Sequence, residues 1–92
     1  MRILILGGGQ VGASVAESLT NEGNDVTVVD PDANLLKLLQ NRLDIRTVLG
    51  NAAHPSVMLN AGAEDAELLL ALTRNDDTNL LACALARTQF NI

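Results

Sequence analysis

"RILILGGGQVGASVAESL", residues 2–19, decides the reading of the fold. Its first part, RILIL (2–6), is a short apolar run of strand-forming composition that ends at a glycine. After the glycines the period changes. Val11, Val15, Ala16 and Leu19 fall on one face of a helix spanning 10–21, which Gly23 and Asn24 close. A strand, a glycine turn and a helix therefore follow one another without a spacer.

Gly7, Gly9 and Gly12 make G-x-G-x-x-G at that turn. Gly7 permits the tight strand-to-helix turn, Gly9 leaves the backbone open to a pyrophosphate, and Gly12 lets the helix pack close to the strand. The free N–H groups and positive dipole end of the helix then favour phosphate. Gly8 fills a free position of the motif and has no job of its own in this reading. The motif alone is weak evidence. Its second half is an acid about 20 residues further on, at the end of the next strand. Asp30 ends "DVTVVD" (25–30), 18 residues after Gly12. Its carboxylate can accept both ribose hydroxyls, or it can N-cap the helix that Pro31 opens; glycines in register weigh towards the ribose. Asp30 would repel a 2′-phosphate, and "DPDANLLK" (30–37) supplies no arginine to receive one. The expected cofactor is NAD or NADH, with ATP or ADP open because adenosine and phosphates use the same elements.

The rest of the chain repeats the alternation. Residues 32–42 form a helix with Leu35, Leu38 and Leu39 on one face, and 44–50 form a strand. A short helix over 54–63 has Pro55 in its first turn and Gly62 just past its end. "AELLLAL" (66–72) has the unbroken apolar run of a central parallel strand covered on both faces. The last helix, 75–90, has Asp76 as its N-cap, Arg87 in its final turn, and Leu81 and Leu85 on a second apolar face. The order β-α-β-α-β-α-β-α specifies an α/β fold: a Rossmann-like parallel sheet in order 3-2-1-4, helices on both faces. Residues 1–92 read as one nucleotide-binding domain, C-terminally truncated. Strand four is expected to need a cover for its bare edge, from another chain or a further C-terminal part.

Two more loops lie at carboxyl ends of strands, where open α/β sheets bind ligands. Asn51 in "LGNAAHP" either bonds the adenine edge or serves the turn with Gly50. Thr73 and Arg74 in "LTRNDDTN" emerge near the switch point. Arg74 there either meets phosphates or the nicotinamide ribose, or is a solvated surface arginine. Asp76, Asp77 and Asn79 are read as starting the last helix.

Composition excludes several classes. The net charge is −5, the six bases are scattered, and Phe90 is the only aromatic residue, so no nucleic-acid surface is expected. His54 and Cys83 stand alone, which leaves no disulfide, no metal-ligand set and no catalytic triad. Cys83 reads as a buried small apolar group and His54 as an exposed or capping residue at a helix start. The first apolar run is too short to span a membrane and lacks a cleavage region, so a cytoplasmic chain is expected. Without an acid–base pair the chain does not read as an enzyme. The rival readings are the cofactor-binding half of an NAD-dependent dehydrogenase, with its catalytic groups elsewhere, and a nucleotide-binding fragment that merely self-associates.

Taken together, "ILILGGGQVGASVAESL", "DVTVVDPD" and "RTVLGNAAHPSVMLNAGAEDAELLLALTRNDDTNLLAC" resemble the N-terminal RCK domain of TrkA-type potassium uptake regulators, over the whole chain. The signature is the combination of G-x-G-Q-V-G, V-V-D, G-x-A-x-H-P and T-x-x-D-x-x-N. The resemblance implies a cytoplasmic regulatory subunit that binds NAD(H) or adenine nucleotides. Such domains assemble as homodimers or rings at the inner face of the plasma membrane and gate a membrane-embedded potassium-translocating subunit. It implies a phosphate loop of Gly7, Gly8, Gly9, Gln10, Val11 and Gly12, with amides from Gln10 and Val11. Asp30 would be the ribose acid, and Asn51, Thr73 and Arg74 would lie in the flanking loops. The sequence departs from the family at Arg74, where a small or amide residue is expected. It also stops at "QFNI", where the family continues into a fifth strand and further domains.

Overall fold

All four strand-forming runs join one parallel sheet. A computed structural model describes residues 1–92. In chain order the elements are β1 (Arg2–Leu6), α1 (Gln10–Asn21), β2 (Asp25–Asp30), α2 (Ala33–Arg42), β3 (Arg46–Leu49), α3 (Pro55–Asn60), β4 (Leu68–Ala71) and α4 (Asp76–Gln89). The sheet order is β3-β2-β1-β4, as expected, and every pairing is parallel.

Side-chain alternation in the two inner strands divides the core. Ile3, Ile5, Val26 and Val28 pack with Ala16 of α1 and with Leu36 and Leu39 of α2. Leu4, Leu6 and Val29 turn the other way, onto Met58 of α3 and onto Ala82 and Ala86 of α4. Both faces of β1 and β2 are thus apolar because both are covered. Only the small Ala82 and Ala86 of α4 are buried, which lets that helix lie close to the sheet.

Several details differ from the sequence reading. The apolar run 66–72, expected to be covered on both faces, yields only Leu68–Ala71 as strand, at the sheet edge where the order 3-2-1-4 places it. It pairs with β1 alone; its side chains are half-buried, and Leu68 is exposed. An unbroken run carries no period to say how many sides are covered. In α2 the buried residues are Leu36 and Leu39, with Leu35 half-buried and Leu38 63% exposed. A leucine-rich helix fits two neighbouring stripes, and packing selects one of them. Asn75, not Asp76, N-caps α4, its side chain accepting from the Thr78 N–H at 2.9 Å. Asp76 and Asp77 occupy the first turn, where the helix dipole favours acids. Leu80 and Leu81 of α4 are exposed and Leu85 is half-buried. Cys83, read as buried, is exposed on that helix.

The crossover from β1 to α1 is the tightest place in the chain. Gly7 has φ +109°, and a Cβ there would stand 2.7 Å from the Leu72 carbonyl oxygen. A Cβ at Gly12 would fall on the Gly7 carbonyl oxygen, with the carbonyl carbon at 2.9 Å. Both contacts are with backbone, which cannot rotate aside. Gly12→Ala is therefore expected to destabilise the fold by about 3 kcal/mol. Calorimetry should register this as a fall in Tm of more than about 10 °C; an unchanged Tm would refute the close packing.

Candidate functional site

The carboxyl ends of the strands are tied into one line by bonds that run on from the sheet ladders. The Gly7 N–H donates to the Val29 carbonyl at 2.7 Å, Gly50 to Asp30 at 3.1 Å, and Leu72 to Leu6 at 2.8 Å. The loops after the strands consequently leave from a common edge. A cleft of about 810 Å³ crosses it, within the range of small-molecule sites. Of the residues singled out from the sequence, Gly7, Gly9, Gln10, Asp30, Asn51, Thr73 and Arg74 line this cleft. Gly8, Val11 and Gly12 do not. Gly8 and Gly12 are buried beneath it, and Val11 is exposed on the first turn of α1.

The start of α1 differs from those of α2 and α4. Side chains cap the latter two, from Asp32 and Asn75, whereas Gly9 at the N-cap of α1 has none to offer. The first helical bond runs from Ala13 N–H to the Gly9 carbonyl at 2.8 Å. The earlier N–H groups of the turn therefore remain for solvent or an anion. A Cβ on Gly9 would meet nothing within 4 Å, so no protein atom requires glycine there. Gly9 itself lines the cleft.

Asp30 is held in place by backbone. Its Oδ2 accepts from the Gly8 N–H at 2.8 Å and its Oδ1 from the Asp32 N–H at 2.9 Å. It does not cap α2; Asp32 does, accepting from Asn34 N–H at 3.0 Å and Leu35 N–H at 3.2 Å. One bond per carboxylate oxygen leaves lone pairs free for further donors, such as a vicinal diol. The same bond gives Gly8 the job that the motif denied it. Gly8 is buried, and a Cβ there would lie 3.2 Å from Leu39 Cδ1 and 3.4 Å from Leu35 Cδ2. It is a packing and hydrogen-bonding residue that joins the glycine loop to β2 and α2.

The flanking loops resolve two open readings in part. Asn51 uses its side-chain oxygen in a turn, accepting from the Ala53 N–H at 2.9 Å. Its amide N–H₂ is left free to donate. Arg74 is exposed at the rim and belongs to neither ion pair of the structure, Arg42–Glu17 at 3.6 Å or Arg46–Asp25 at 3.5 Å. Its guanidinium is not held back by a carboxylate.

Asn79, assigned from sequence to the helix start, does something else. Its Oδ1 accepts from the Thr73 N–H at 3.0 Å and the Thr73 hydroxyl at 2.6 Å, and its Nδ2 donates to the Thr73 carbonyl at 3.1 Å. The spacing T-x-x-D-x-x-N was the available signal, though no periodicity gives it that meaning. His54 stands at the N-cap of α3 without a side-chain capping bond, and it is exposed.

Elsewhere the surface offers less. A pocket of about 230 Å³ lies at the opposite, amino-terminal ends of the strands. Arg2, Asp25, Arg46 and Asp65 line it with balanced charge, and Asp25 and Arg46 already pair. No group of three or more His, Cys, Asp or Glu side chains is placed to hold a metal. No helix is long and apolar enough to cross a membrane.

Comparison with known proteins agrees with this geometry. The model of the TrkA-N domain matches residues 3–92. The chain is 52% identical over 91 residues to the Trk system potassium uptake protein TrkA of Vibrio alginolyticus, covering 99% of this chain and 20% of that protein. It is 53% identical over 90 residues to the protein of the same name from Halomonas elongata, covering 98% and 20%. The chain thus spans about 20% of the length of these relatives. Among solved structures, the TrkA-N domain of the inner membrane protein ybaL from Escherichia coli superposes with a TM-score of 0.87 at 30% identity, covering 96% of this chain and 64% of that one. The Kef CTD of Shewanella denitrificans in AMP-bound form gives 0.86 at 26% identity, covering 98% and 54%. A β3-β2-β1-β4 sheet, a glycine crossover and a match over residues 3–92 lead to one assignment: the chain belongs to the TrkA-N domain family.

Proposed function

We propose that this domain binds an adenine nucleotide, NAD or NADH in preference to NADPH, and that the bound nucleotide regulates potassium uptake. The observation that carries the reading is Asp30: a carboxylate fixed by two backbone N–H groups, in a cleft that also receives the uncapped start of α1. Asp30 takes the ribose diol. The N–H groups of Gly9, Gln10 and Val11 take the phosphates, the Asn51 amide meets the adenine edge, and Thr73 and Arg74 meet the far end of the ligand. ATP and ADP fit the same elements, and the AMP-bound Kef CTD supports an adenosine monophosphate unit as the common part.

The domain acts as a regulator and not as an enzyme, a reading supported by relatives named potassium uptake proteins. It works on the cytoplasmic side of the membrane as a homodimer or larger ring, against a membrane-embedded potassium-translocating subunit. Helix α4 begins in the loop that closes the cleft and exposes Leu80 and Leu81. A ligand that moves this loop changes how α4 meets a neighbour, and the motion between subunits gates transport.

Calorimetric titration with NADH, NADPH and ATP tests the binding. The wild type is expected to prefer NADH to NADPH. Gly9→Ala should keep its stability within about 1 kcal/mol, since its Cβ enters open space. It should lose at least roughly tenfold in affinity, because that Cβ occupies the phosphate position. A Gly9→Ala protein that binds normally would sink the phosphate assignment. Asp30→Ala frees two backbone donors, and is expected to lose about 1–2 kcal/mol of stability and at least roughly tenfold in NADH affinity. NADH affinity unaltered by this change would remove the ribose assignment. For regulation, small-angle scattering of the assembled regulator should change on adding NADH or ATP; identical profiles would contradict gating by subunit motion.

A further inference from the structure

We propose that Asn79 is a positioning residue that sets the affinity of this site for whatever extends beyond the first phosphate of a nucleotide. The inference rests on the nucleotide reading above. The cleft has two ends because the sheet order is β3-β2-β1-β4. Asn51 and Asp30 stand at the β3 and β2 end, the glycine loop lies in the middle, and Thr73 and Arg74 stand at the β4 end. A nucleoside monophosphate held by Asp30 and the glycine loop occupies the first end and the middle. Only a further phosphate, or a second nucleoside, reaches β4.

The β4 end rests on an edge strand, as the β3 end does. β4 is an edge strand paired on one side, and its last link to β1 is the Leu72 N–H to Leu6 carbonyl bond. Beyond that point Asn79 holds the Thr73 N–H, hydroxyl and carbonyl together, while the Asn75 backbone meets only the hydroxyl, its N–H at 3.2 Å and its carbonyl at 3.1 Å. Asn79 is half-buried and does not line the cleft. It sits one turn into α4, where its N–H bonds to the carbonyl of Asn75. It therefore acts through Thr73, holding the loop in place before a ligand arrives. Pre-ordering a loop raises affinity for the ligand that touches it and leaves others unaffected. Asn79 thus separates NADH and ATP from AMP.

The test compares AMP, ATP and NADH affinities of the wild-type full chain with those of Asn79→Ala and Asn79→Asp, alongside thermal melts. Asn79→Asp preserves the side-chain size but sets a carboxylate oxygen where Nδ2 now meets the Thr73 carbonyl at 3.1 Å. Both variants are expected to bind NADH and ATP about tenfold more weakly, while AMP affinity stays within about twofold. A general loss of structure would weaken all three ligands together, so equal weakening of AMP overturns the proposal. A wild type that binds all three ligands, matched by both variants, overturns it as well and leaves the nucleotide reading intact. A wild type that binds none of the three overturns the nucleotide reading, and the role of Asn79 with it. If Asn79→Ala does not fold, Asn79→Asp alone decides by the same split.

Discussion

The approach of α1 to the end of β1 is the constraint on which the rest of this molecule depends. The helix can begin where it does because Gly12 has no Cβ to strike the Gly7 carbonyl, and because Gly7 adopts φ +109° beside the backbone of Leu72. This brings the first turn of α1 to the edge where all four strands end. It also leaves Gly8 between the loop and the Val28, Leu35 and Leu39 side chains, with its N–H aimed at Asp30. The fold and the candidate site therefore share one cause. A looser crossover would move the helix start away from the acid and disconnect β1 from β2 at the cleft.

The four glycines of the crossover divide into two kinds. Backbone atoms require glycine at Gly7 and Gly12, whereas at Gly8 a Cβ would press on the Leu39, Leu35 and Val28 side chains at 3.2–3.4 Å. Gly9 is required by none, because a Cβ there would meet no protein atom within 4 Å, and Gly9 lines the cleft. The residue with the least structural justification is the one with the clearest functional reading. Asp30 shows the converse, since its two backbone bonds give it a structural role as well as free lone pairs for a ligand.

Much of this was legible in the sequence. The change of period at Gly7 gave the strand and helix, and the alternation of elements determined the sheet order that the structure displays. Asp30 was placed by its distance from the glycines. What sequence patterns could not resolve were choices between equivalent packings. Leu38 and Leu36 both complete a helical stripe with Leu39, and only tertiary contact buries Leu36. The run LLLA has no alternation to show how far its two faces are covered. Asp30, Asp32, Asn75 and Asp76 are all competent caps, so the actual caps, Asp32 and Asn75, emerge only from backbone geometry. The Asn79 clamp on Thr73 depends on where a loop folds back, and side-chain periodicity carries no trace of that.

The central claim is that the edge formed by the glycine loop and Asp30 is a nucleotide site. The most direct measurement is a two-dimensional ¹H–¹⁵N NMR titration of the chain with NADH, followed residue by residue. The account predicts the largest shifts at the amides of Gly8, Gly9, Gln10, Val11 and Asp32, with smaller ones at Thr73 and Arg74. The amides of Arg2, Asp25 and Arg46, at the other end of the sheet, should stay in place. Shifts centred on those amino-terminal residues, or none at all at saturating NADH, would contradict it.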